Sequence, residues 1–180
     1  DRDRLLQLLR ERALTRESVV LASGKRSSYY VDARQVLLDP EGAALAGRLA
    51  YAALLPHAPV AVGGLTLGAD PLVCAVSAAA WNNGQRWTGF FVRKEAKKHG
   101  LQNWIEGPFI EEGTPVAVLD DTLTTGGSIL EAIHKARKAG GEVVAALVVI
   151  DREEGGREAV EAALGDAPLH ALFGASELLG

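Results

Sequence analysis

Cysteine is nearly absent from this sequence and methionine is missing altogether; Cys74 is the single thiol. One cysteine excludes an intrachain disulfide framework and any multi-cysteine metal site, and it suits a reducing cytoplasm. An excess of positive charge is also missing. The net charge is -4 and the sequence pI is about 5.6. A general nucleic-acid binder is more often basic, so any anion site must be local and no nucleic-acid partner is expected. No apolar run reaches the roughly 18 residues that a membrane-spanning helix needs, so no membrane partner is expected either. No basic-then-apolar leader opens the chain. It begins at Asp1 rather than Met, so a few preceding residues are expected. Asn and Gln are scarce, a pattern shared by thermophile proteins and by GC-rich coding.

What is present fits one ordinary domain spanning residues 1–180: 48% hydrophobic and 23% charged residues, with no internal repeat or low-complexity tract. Helical spacing of Leu5, Leu8, Leu9 and Ala13 predicts a helix over Asp3–Ala13. Val19–Leu21 and Tyr29–Val31 read as two short strands of a hairpin around the Ser23–Ser28 turn. Pro40 opens a helix to about Leu55. Beyond it, apolar strands at Val60–Val62, Gly89–Val92, Pro115–Leu119, Val143–Ile150 and Leu169–Phe173 alternate with helices near Asp70–Trp81, Ser128–Ala139 and Arg157–Leu164. This alternation predicts an α/β fold with a mainly parallel sheet flanked by helices, and ligands at the strands' C-terminal ends. Residues 1–39 fall outside the alternation and read as an added cap on a 40–180 core. Cys74 sits in a helix of small residues and is expected to be packed.

The most informative stretch is Val116–Ser128. An apolar strand delivers Asp120 and Asp121, a Thr/Gly-rich loop follows, and an amphipathic helix begins. Small residues at a helix start let backbone N–H groups converge on an anion, assisted by the helix dipole. Threonine hydroxyls add donors, and Ser128 with Glu131 reads as a capping box. The carboxylates cannot bind that anion, but they can accept hydrogen bonds from vicinal hydroxyls or approach a metal. A sugar phosphate with free hydroxyls satisfies both halves. Either half alone could be a solvated acidic pair or a plain turn; the joined strand–loop–helix unit argues against that. Neither a Walker-type nor a dinucleotide-type glycine motif is present.

A second anion-directed element is Arg93–Gly100, with four formal positive charges and one negative. It follows a strand, and the stretch to Gly107 lacks periodicity, so it reads as a mobile loop at the ligand end of the sheet. Cations in a loop that closes over an anionic group stabilise negative charge that develops there in a transition state, and closure excludes water.

Val116–Ser128 resembles the phosphoribosyl-diphosphate (PRPP) signature of type I phosphoribosyltransferases. Arg93-Lys94-Glu95-Ala96-Lys97-Lys98-His99-Gly100 resembles the catalytic loop of the orotate phosphoribosyltransferases within that family, and Ser23–Asp32 is similar to their base-covering hood. The resemblance implies the type I fold, with a five-stranded parallel core sheet and a small N-terminal hood over residues 1–39. It implies transfer of the phosphoribosyl group of PRPP to orotate, giving orotidine 5-phosphate and pyrophosphate in pyrimidine synthesis, in the cytoplasm. The alternatives within the fold are transfer to another base, or a PRPP-sensing regulator.

Site roles follow from the resemblance. Asp120 and Asp121 anchor the ribose hydroxyls, and Lys97 is the catalytic lysine. Thr122, Leu123, Thr124, Thr125, Gly126, Gly127 and Ser128 hold the 5-phosphate. Arg93, Lys94, Lys97 and His99 contact PRPP or pyrophosphate, together with backbone from Thr66, Leu67 and Gly68. Orotate is expected at Lys25 or Arg26, Tyr29, Tyr30, Thr124 and Arg152, where the arginine's rigid fork suits a planar carboxylate. Some relatives carry lysine where this chain has Ala22 and Leu67. Mg²⁺ is implied as cofactor, held mainly through PRPP oxygens. A homodimer is implied in which the basic loop Arg93–Gly107 is shared across subunits.

Overall fold

A computed structural model describes residues 1–16, 19–20, 26–27, 29–95, 104–108 and 110–180, with backbone alone at 19–20 and 26–27. The chain opens with α1 (Arg2–Leu8), whose last turn continues as a wider π-type turn over Leu9–Ala13. The cap holds four two-residue strands: β1 (Leu14–Thr15), β2 (Val19–Val20), β3 (Arg26–Ser27) and β4 (Tyr30–Val31). The expected hairpin is corrected here. Val19–Val20 pairs with Arg26–Ser27, whereas Tyr30–Val31 pairs with Leu14–Thr15. Two-residue strands carry no period-two signal, so sequence alternation could not choose between these partners.

The short α2 (Arg34–Leu37) leads to α3 (Pro40–Leu54). Asp39 caps α3, accepting from the N–H groups of Glu41 (3.0 Å) and Gly42 (3.2 Å), with Pro40 in the first turn. Then come β5 (Ala61–Leu65), α4 (Asp70–Asn82), β6 (Thr88–Val92), β7 (Ile105–Glu106), β8 (Thr114–Leu123), α5 (Gly127–Lys138), β9 (Gly141–Asp151), α6 (Gly156–Leu164), β10 (Leu169–Gly174) and α7 (Ala175–Leu179).

Six strands form the main sheet in the order β10-β9-β8-β5-β6-β7. Five are parallel, as expected; β7 adds an antiparallel edge through Phe91↔Glu106 and Val92↔Ile105. The end of the expected basic loop is therefore strand. A two-residue strand again leaves no periodicity to read.

Alternating residues of β8 face opposite layers. Ala117 and Leu119 join Leu5, Leu8, Leu9 and the helices α3 and α4 in one buried cluster, while Val116 and Val118 join Ile129, Ile133 and Val160 of α5 and α6 in the other. Cys74 is exposed, against expectation, because Leu72, Val73, Val76 and Ala80 take the buried stripe of α4. The strand order reverses between β5 and β8. Such a switch point opens a crevice beyond the strand ends, and Leu65 and Leu123 are the last residues of those two strands.

Candidate active site

β8 runs further than its apolar core. Pairing with β9 continues through Asp120↔Val148 to Leu123↔Asp151, so the acidic pair lies within the last residues of the strand rather than beyond it. Asp120 is only 4% exposed, and Asp121 is half-buried. Asp120 Oδ1 accepts the Asp121 N–H at 3.0 Å, and Thr122 Oγ1 donates to Asp121 Oδ1 at 3.2 Å. Burial, and then the neighbouring Asp121 charge, push the Asp120 carboxyl up to about 8. Such a pair welcomes hydroxyl donors or a cation.

After Leu123 the chain turns at Gly126 (φ +85°), a left-handed position that favours glycine. A Cβ there would also stand 2.9 Å from Val160 Cγ2. Gly126 occupies the N-cap of α5, which corrects the expected capping box. Ser128 is already the second helical residue, and Glu131 pairs with Lys135 instead. Among the described residues no side chain caps the helix, which leaves its first N–H groups available to an anion. Asp120, Asp121, Thr122, Thr124, Thr125, Gly126, Gly127 and Ser128 line a recess of about 230 Å³.

A second recess of about 350 Å³ adjoins it, lined by Arg34, Leu65, Thr66, Leu67, Gly68, Lys94 and again Asp120, Asp121 and Ser128. The Thr66–Leu67 peptide is cis. Gly68 passes so close that an added Cβ would lie 3.1 Å from Asp121 Oδ1. Leu67 is 72% exposed, so this wall carries no side-chain charge of its own.

Lys135, buried on α5, holds the start and end of the basic segment. Its ammonium donates to the carbonyls of Arg93 (2.8 Å) and Lys94 (3.2 Å) and lies 3.9 Å from the centre of the Trp104 ring. Arg93 Nη1 donates to Glu106 at 2.6 Å. Replacing Lys135 by Met keeps the packed stem but leaves two carbonyls without their donor, a loss of about 1–3 kcal/mol. A fall in Tm of roughly 2–10 °C is expected, together with a higher KM for PRPP as Arg93 and Lys94 shift. Thermal melting and steady-state kinetics check this; an unchanged Tm and KM would show that the contacts position nothing.

Arg152 and Tyr29, predicted from separate parts of the chain, come together. The buried Arg152 guanidinium lies 4.8 Å from the centre of the Tyr29 ring, and Nη2 is 2.7 Å from Glu154 Oε1. The Arg152 N–H donates to the Leu123 carbonyl at 2.8 Å, which ties this pair to the phosphate loop.

Among the other predicted residues, Leu123 is 1% exposed, and its side chain belongs to the core rather than to the recess. Tyr30 is 39% exposed and lies within electrostatic reach of Arg34. Lys25, Lys97 and His99 lie outside the described residues, as does the Arg26 side chain. Sequence reasoning missed Arg34, Lys135 and Glu154. Arg34 and Lys135 read as ordinary surface charges in sequence; the fold buries Lys135 and sets the still exposed Arg34 at the rim of the second recess.

No family model matches the chain. Curated relatives do. An orotate phosphoribosyltransferase of Aquifex aeolicus is 44% identical over 182 residues, covering 99% of this chain and 98% of the relative. That of Thermosynechococcus vestitus is 47% identical over 177 residues, covering 98% and 92%. Among solved structures, Mycobacterium tuberculosis orotate phosphoribosyltransferase in complex with Fe(III) dicitrate superposes with a TM-score of 0.87 at 40% identity, covering 98% of both chains. The same enzyme in complex with PRPP gives a TM-score of 0.83 at 37% identity, covering 99% of both. An acidic pair flanked by two recesses, on a sheet matched over its whole length at this identity, leaves one conclusion: the chain belongs to the orotate phosphoribosyltransferases of the type I phosphoribosyltransferase family.

Proposed function

We propose that this chain performs the family's reaction, orotate plus PRPP to orotidine 5-phosphate plus pyrophosphate, along the crevice from the threonine–glycine recess to Arg152. One observation carries the residue assignments: Asp120, Asp121 and Ser128 line both recesses. A ribose anchored by its hydroxyls on the two carboxylates would place its 5-phosphate on one side, in the loop Thr122–Ser128. Its diphosphate would fall on the other, beside Thr66–Gly68 and Lys94.

A ring nitrogen of orotate forms the new bond to C1 while the bond from C1 to the diphosphate oxygen breaks, and the proton of that ring nitrogen is released to the pyrophosphate or to solvent. Positive charge develops on the sugar and negative charge on the leaving group. Asp120 and Asp121 hold the ribose, and Arg93, Lys94, Lys97 and His99 take up the leaving-group charge. Tyr29 and Arg152 receive the base, with Lys25, Tyr30 and Thr124 beside it, and the Arg152 fork engages the orotate carboxylate.

Mg²⁺ fits this donor set as an ion held mainly by substrate oxygens. Two adjacent carboxylates attract it, and no cluster of three or more metal-binding side chains occurs among the described residues. When bound, it neutralises diphosphate charge. The same resemblance supports a homodimer sharing the segment 93–107. Exposed Trp81 and Leu38 are apolar side chains that such an interface would cover; sedimentation at two concentrations tests it. No helix among the described residues is long and apolar enough to cross a membrane, and the lone thiol supports a cytoplasmic setting.

Lys97→Ala tests the catalytic assignment. One oxyanion-stabilising donor is worth about 10²–10³ in kcat when it acts nearly alone. Three cations, Arg93, Lys94 and Lys97, share the charge with His99, so a fall in kcat of about tenfold to a hundredfold is expected, with PRPP affinity within about threefold. Wild-type turnover in the variant would remove Lys97 from that role.

A further inference from the structure

Arg34 is a charged side chain of the crevice that none of the site assignments uses. It opens α2, and Asp32 fixes its guanidinium from Nε (2.8 Å to Oδ1) and Nη2 (3.2 Å to Oδ2). Nη1 makes no hydrogen bond among the described residues. The side chain is still 44% exposed, and it lines the same 350 Å³ recess as Thr66–Gly68, Lys94 and the acidic pair.

That recess has an electrostatic problem. A diphosphate is strongly anionic, and two carboxylates share its wall. The Thr66–Gly68 turn offers only backbone donors, and the Thr66 N–H is already spent on the Val92 carbonyl at 2.9 Å. Leu67 at its tip is uncharged. Among the described residues the lining cations are Arg34 and Lys94. Of these, Arg34 is held by a bidentate carboxylate, so little rotamer freedom is lost when it binds.

We propose that Arg34 binds the diphosphate of PRPP and the pyrophosphate product. Asp32 acts as its positioning residue. The inference rests on the assignment of this recess to the diphosphate.

Calorimetry on the full chain with Mg²⁺ tests it, using pyrophosphate and ribose 5-phosphate as separate probes. Losing one charge-assisted contact is expected to weaken pyrophosphate binding about tenfold or more in Arg34→Gln. Ribose 5-phosphate binding should stay within about twofold. Arg34→Lys, which keeps the charge and loses the fork, should fall between wild type and Arg34→Gln for pyrophosphate. Pyrophosphate affinity within twofold of wild type in Arg34→Gln, or an equal loss on both probes in both variants, would overturn the proposal. A wild-type chain that binds ribose 5-phosphate but no pyrophosphate would overturn the recess assignment itself, and Arg34 with it.

Discussion

Arg152→Ala is expected to lower kcat/KM for orotate by roughly thirtyfold to several thousandfold while the KM for PRPP stays within about twofold. Orotate differs from uracil by one carboxylate, so a group that recognises that anion must make the discrimination. Removing one partner of a buried charge pair costs about 2–5 kcal/mol, which sets the range. Arg152 is placed for this: it is 5% exposed and stacked on Tyr29, and it already holds a carboxylate, that of Glu154. The backbone bond from Arg152 to Leu123 survives the substitution, so the phosphate loop keeps its support. Glu154 is partly exposed and solvates readily once its partner is gone. Arg152→Lys should recover only part of the loss, because a lysine offers a point charge and no planar fork. Wild-type orotate kinetics in both variants would show that the base is read elsewhere, with the hood as the next place to look.

Asp120→Asn combined with Asp121→Asn should cut kcat/KM for PRPP by roughly thirtyfold to two-thousandfold, since a hydrogen bond to a charged acceptor contributes about 1.5–3 kcal/mol and one to a neutral acceptor, as Asp120 is below about pH 8, about 0.5–1.5 kcal/mol. The ligand-free fold should respond in the opposite sense, and Asp120 alone decides that effect. Its carboxyl titrates near 8 in the folded chain, against an ordinary value of 3.8, because it is buried and then because Asp121 is charged. The folded state therefore binds more protons than the unfolded chain between about pH 4 and 8. Stability present below pH 4 is lost as pH rises through that window. An asparagine never ionises. Asp120→Asn should show a flatter decline of Tm across the window and exceed wild type at pH 8. Melting curves at pH 5 and pH 8 check the sign; parallel declines in both proteins would place the titration elsewhere.

The unit from Thr114 to Gly140 was readable because its signals are local. An apolar run, two acids, glycines and a 3.6-residue stripe follow one another along the chain, and the fold keeps them in that order. Its fine detail was less readable. Serine and glutamate at capping-box spacing read as a cap, but Gly126 in a left-handed conformation takes the N-cap two residues earlier, and the helix starts one residue earlier, at Gly127. In the cap region, strands of two residues hold no alternation, so the partner of Tyr30–Val31 could be found only in space. Arg34, Lys135 and Glu154 were invisible for another reason. Lys135 sits among His134, Arg137 and Lys138 and reads as one more solvated charge. Only the packing of α5 against the start and end of the basic segment turns it inward.

On the proposed function, one crevice joins a PRPP site to a group that reads the orotate carboxylate. The most direct measurement is steady-state turnover of the purified chain with PRPP and Mg²⁺ against orotate, uracil and adenine, following release of pyrophosphate. Turnover with orotate is expected, with a kcat/KM for uracil lower by roughly thirtyfold or more, the least that an unpaired buried arginine should impose. Equal use of uracil and orotate, or preference for adenine, would contradict it.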